Sequence, residues 1–83
     1  MADNFTRSDM DANDPIIRKA VFDLKIWQQG ESTNFTTMLY ELIAKADFHN
    51  KVLLSMGFPV HVAVYSAWQQ APTQSAFFEQ FKI

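Results

Sequence analysis

Apolar residues recur at helical spacing along most of this chain, and polar breaks divide it into five stretches. The first begins at Asn13-Asp14-Pro15. Asp or Asn can cap free helix amides there, and proline suits the first helical position. From there Ile16, Ile17, Ala20, Val21, Leu24 and Trp27 share one broad stripe, and Gly30 supplies a stop, which predicts a helix over 15–29. The polar Glu31-Ser32-Thr33-Asn34 ends in capping residues and opens a second helix, over 34–46. Its apolar face holds Phe35, Met38, Leu39, Leu42, Ile43 and Ala46, the clearest amphipathic signal in the chain.

Were that helix to continue, Phe48 would swing off the apolar face and Asn50 would enter it. A break at Asp47 avoids both and predicts a third helix over 48–56. Phe48, Val52, Leu53 and Met56 then point the same way as one apolar stripe, and Gly57 is expected to make a left-handed stop. Residues 59–70 carry two patterns at once. Val60 to Tyr65 alternates with β-branched residues, as a strand does. Val60, Ala63, Val64, Ala67 and Trp68 also form one helical face behind Pro59. The chain offers no partner strand, so a strand would have to pair with another copy. Helix is therefore the expectation. After Ala71-Pro72, Thr73 caps a last short helix over 74–81, anchored by Phe77, Phe78 and Phe81. The fold class predicted is all-α, a compact bundle of four to five short helices forming one domain over 14–83. Residues 1–13 lack periodicity and read as a flexible acidic arm, on which Phe5 or Met10 could tuck onto the domain.

Several apolar residues fall outside these core stripes. Phe22 and Ile26 form one pair at i, i+4, Val62 and Tyr65 form another at i, i+3, and Tyr40 lies off the face of its own helix. A helix that is apolar all round is either central in a core or part of an interface. Phe22, Ile26, Val62, Tyr65 and Tyr40 are accordingly the expected interaction surface. The opposing expectation is that the last helix and the arm cover them within the monomer.

Composition narrows the function classes. Of 83 residues, 48% are hydrophobic and 14% aromatic, enough for a small core without staples. Cysteine is absent, which removes disulfides, thiolate metal sites and Cys nucleophiles and favours a reducing compartment. The N-terminus reads as neither signal nor transit peptide, no apolar run approaches the ~20 residues of a membrane span, and a cytoplasmic location is expected. The net charge of −2 is uneven: residues 1–14 hold four Asp against Arg7, while 15–83 hold six basic and five acidic residues. The basic residues are scattered, unlike the clustered face of a nucleic-acid binder.

Candidate chemistry fails on spacing. Residues 9–14 open like a calcium loop, but the sixth position is Asp14 where glycine is needed and the twelfth is Ala20 where a bidentate Glu is needed. His49 and His61 stand twelve apart without a ligand pattern, Ser55 and Ser66 lie in no nucleophile elbow, and no glycine-rich loop exists to cradle phosphate. No cofactor or metal is expected, and the chain does not read as an enzyme. Residues 48–56 and 59–70 have helix-turn-helix spacing, with His61, Val62, Tyr65 and Gln69 facing outward, yet none is Arg or Lys.

The stretch Leu39-Tyr40-Glu41-Leu42-Ile43-Ala44-Lys45-Ala46-Asp47-Phe48-His49-Asn50-Lys51, followed by Gly57-Phe58-Pro59, Val62, Tyr65 and Trp68, resembles a pattern in small uncharacterised helical proteins of bacteria and their phages. The resemblance covers residues 35–68. It implies a helical 59–70 and a phage or prophage source, and it attaches no function to any residue. The expected function is a small helical interaction module or regulator that binds a protein partner or itself. A helix-turn-helix-like nucleic-acid-binding regulator is the alternative, and a small enzyme is third.

Overall fold

Four side-chain caps start four of the five helices of the computed structural model, which describes residues 10–31 and 33–83. Asp14 Oδ1 accepts from the amides of Ile16 (2.8 Å) and Ile17 (3.4 Å) and opens α1 (Pro15–Gln28). Asn34 Oδ1 accepts from Thr37 N at 2.9 Å and opens α2 (Phe35–Lys45). Asp47 Oδ1 accepts from Asn50 N at 2.8 Å and opens α3 (Phe48–Gly57). Thr73 Oγ1 accepts from Ala76 N at 3.0 Å and opens α5 (Gln74–Gln80). Such caps satisfy amides that the helix itself leaves free. The remaining helix, α4 (Pro59–Gln70), has no side-chain cap and begins on Pro59. The all-α expectation holds: the described residues contain five helices and no strand, and residues 59–70 are helical.

Two helices end in the same motif. After α1, Gly30 N donates to Trp27 O and Glu31 N to Ile26 O, with Gly30 at φ 103°. After α5, Lys82 N donates to Glu79 O and Ile83 N to Phe78 O, with Lys82 itself at φ 58°. Both are Schellman closures, which need a left-handed residue just past the helix end. The expected left-handed stop at Gly57 does not form. Gly57 is the last residue of α3, and Gly30 is the one glycine with positive φ. Phe58 makes the corner instead, at φ −133° and ψ 60°, capping α3 at its C-terminus and α4 at its N-terminus. The residue before a proline is pushed out of the helical region, so the break falls on Phe58.

α4 is the centre of the molecule and packs against each of the other four helices. Val64, Tyr65 and Ala67 of α4 are buried with Val21 and Leu24 of α1, Tyr40 and Ile43 of α2, and Phe77 and Phe81 at the α5 end. Polar bonds fix the helices across this core. Tyr40 Oη donates to Ala20 O at 2.7 Å, and Trp27 Nε1 donates to Glu41 Oε1 at 2.9 Å, so α1 and α2 are tied twice. Arg18 Nη1 donates to Ala12 O (3.0 Å) and Phe81 O (2.7 Å), clasping the segment before α1 to the end of α5. The expected arm at 1–13 is corrected at its inner end, where Met10 is buried in the core and Ala12 packs against it. Residues 1–9, including Phe5, lie outside the described residues.

Candidate functional site: an apolar face on α2 and α3

The residues expected to form an interaction surface do not come together as one. Tyr40 is fully buried, and Tyr65 is 5% exposed. Ile26 and Val62 are half-buried, and Phe22 alone of the five is exposed, beside Ile83 and the Arg18 side chain. The central position of α4 is the physical reason: a helix surrounded on four sides needs apolar residues on every face. Trp27 stacks on Tyr40 (6.2 Å between centroids) and meets Tyr65 (6.2 Å) and Trp68 (6.1 Å), so Tyr65, on the supposed outer face of α4, is enclosed by an aromatic cluster that packs against the core. Trp68 is only half-buried, and its indole N–H is enclosed with no acceptor among the described residues. The same packing weighs against α4 as a DNA-reading helix, because His61, Val62 and Tyr65 face neighbouring helices.

The exposed apolar surface lies elsewhere. Phe35 (70% exposed), Met38 and Leu42 line the outer side of α2, and Phe48 (83%), Val52, Leu53 and Met56 (76%) cover α3. These are residues of the apolar stripes expected on the two helices. The predicted face of α2 was real but too broad for one neighbour. Its Leu39 and Ile43 side, together with Thr37 and Tyr40, is buried against the body, while its Phe35, Met38 and Leu42 side is bare. α3 contributes no fully buried side chain at all. Among the described residues α4 is its one substantial neighbour, so the rest of its surface faces out.

Between α2 and α3 runs an apolar groove made of two adjoining hollows of about 360 and 370 Å³ that share Leu42 and Leu54. Phe35, Met38 and Leu39 line one end with Phe58, and Ala46, Asn50 and Leu53 line the other. Lys45 stands at the rim, 3.6 Å from Glu41 Oε2, while the other oxygen of Glu41 holds Trp27. Aromatic rings lead from the groove floor into the core: Phe35 to Phe58 (5.9 Å), Phe58 to His61 (6.4 Å) and His61 to Tyr40 (5.7 Å). Burial between these rings holds His61 below its ordinary value of 6.5, with the Asp23 charge acting the other way and Lys19 adding to the lowering. Burial pushes the Tyr40 and Tyr65 hydroxyls up, so both phenols stay protonated in neutral solution.

No family model, curated protein or solved structure matches this chain. Its functional interpretation therefore rests on geometry. The residues singled out for chemistry are dispersed or occupied. Asp11 Oδ1 accepts from Asn13 N in a local turn and Asp14 caps α1. His49 is exposed on α3, whereas His61 is wedged among rings, and Ser55 Oγ donates to Val52 O at 2.6 Å. Among the described residues no three His, Cys, Asp or Glu side chains gather as metal ligands, and no helix is long and apolar enough to cross a membrane. What the α2–α3 face can do is exclude water from an apolar partner. The signal for it was present in the sequence. Phe48, Val52, Leu53, Leu54 and Met56 spread over more of α3 than a single packing contact covers.

Proposed function

We propose that this chain is a small helical interaction module that docks a protein surface onto the apolar face of α2 and α3. The observation that carries the proposal is α3 itself, a helix with apolar residues around most of its circumference and no side chain fully buried. The exposed fractions of its four large residues and of Phe35, Met38 and Leu42 amount to on the order of 800 Å², beyond the ~300–600 Å² of the largest patch on an ordinary monomer. Charges are sparse there, which favours an apolar protein contact over nucleic acid.

The methionines supply a direct test, because Met38 and Met56 lie on the face and Met10 lies in the core. Hydroxyl-radical labelling of the dilute, monomeric chain is expected to oxidise Met38 and Met56 much faster than Met10. Equal protection of all three in the monomer would mean that the face is covered from within, and the docking function would fall.

A further inference from the structure

The occupant of this face can be named from the face itself. We propose that it is a second copy of this chain, with the exposed crest of α3 from each copy seated in the α2–α3 groove of the other. The inference rests on the docking function above and adds the partner.

Three observations point to a copy. The first is area. The face offers on the order of 800 Å², the amount each partner contributes to a standard interface of ~1,600 Å² in total. The second is shape. A two-fold interface uses the same patch twice, so the patch must contain both halves of the fit. This one does. Phe48, Val52 and Met56, spaced at i, i+4 and i+8, form a crest along α3, while Leu42 and Leu54 form the middle of the groove beside it. Leu53 joins the two, since it lines the groove and is itself half exposed. The third is charge. A patch ringed by one sign would repel its own copy. Here Lys45, the one charged residue lining the groove among the described residues, is set against Glu41 on the same helix, Lys51 lies over the Tyr65 ring at 5.7 Å, and Phe48, Val52 and Met56 make the crest apolar. Among the described residues the charges beside the face are of both signs, so no single-signed field repels a twin or selects a basic or acidic partner.

The absence of cysteine makes the test clean. Sedimentation of the full chain at increasing concentration is expected to move from 9.6 kDa to twice that mass. Leu42→Glu in the groove and Val52→Glu on the crest are each expected to weaken the dimer at least about tenfold while helical content is retained. Single-thiol chains Leu42→Cys and Met56→Cys, mixed and oxidised, are expected to cross-link to one another more readily than either does to itself. A chain that stays at 9.6 kDa at several hundred micromolar overturns the proposal. If Met38 and Met56 still oxidise readily in that monomer, the docking function survives and only the second copy is lost. Cross-linking of Met56→Cys mainly to itself overturns the crest-in-groove arrangement. Should a Glu variant fail to fold, the thiol mixture still decides.

Discussion

α3 and α4 are neighbours in sequence, joined at Phe58, and similar in length and apolar content, yet they hold opposite places in the molecule. α4 is apolar on all sides because helices surround it. α3 is apolar on most sides with one substantial neighbour among the described residues. Weak amphipathicity therefore has two physical causes, centrality and an unfilled contact, and a helix's own sequence cannot distinguish them. The distinction lies in how many other elements reach it.

The largest expected effect sharpens this contrast by truncation. Tyr65→Ala on α4 removes a buried aromatic that touches Trp27 and Trp68, and is expected to cost ~3–5 kcal/mol, a large part of the stability of so small a domain. Phe48→Ala on α3, measured where the chain is monomeric, is expected to change stability by less than ~0.5 kcal/mol. Urea denaturation of both variants checks the pair, and comparable losses would break the comparison. Next in size is the cap between the regions. Asp47→Ala removes the acceptor for Asn50 N and is expected to cost ~1 kcal/mol, with the loss seen as faster amide exchange in α3 and little change in α4. In the native monomer, too, α3 amides are expected to exchange at least about tenfold faster than those of α4, because fewer packed side chains hold α3 closed.

The smallest effect is a pH dependence seated on α4. Burial lowers the His61 pKa in the folded chain, so the unfolded chain binds that proton more readily. The His61 contribution to stability is then complete above pH 6.5 and is lost as pH falls from there toward the lower folded value. An unfolding curve for His61→Gln is expected to lack that falling limb. A rise in stability on acidification through the same window would contradict the burial of His61 between Phe58 and Tyr40.

How much of this was legible follows from how local each feature is. Asp14, Asn34, Asp47 and Thr73 were readable as helix starts because a cap acts within three residues of itself. Pro59 was readable as the first residue of a helix for the same reason, and Gly30 as a stop. Gly57 was misread because the restriction that Pro59 places on Phe58 settles the corner first. The side of α2 that is covered was not legible. Phe35 and Leu39 look alike in the pattern, and only the position of α1 and α4 makes one exposed and the other buried. Tyr40 looked outward for want of knowledge that Ala20 O awaits its hydroxyl across the α1–α2 contact. Sequence periodicity locates apolar faces, and tertiary contacts decide which of them stay open.

The cluster around Trp27 has an optical consequence. Both tryptophans of the chain sit in it, 6.1 Å apart and nearly perpendicular, with the two tyrosines beside them. The open face carries phenylalanine, methionine, leucine and valine and hardly absorbs in the near ultraviolet. Intrinsic emission and near-ultraviolet dichroism will therefore follow the melting of the interior and stay nearly silent when another molecule settles on the outside. For self-association of this protein a flat fluorescence titration therefore carries no information, and a changing one reports a change around the Trp27 cluster.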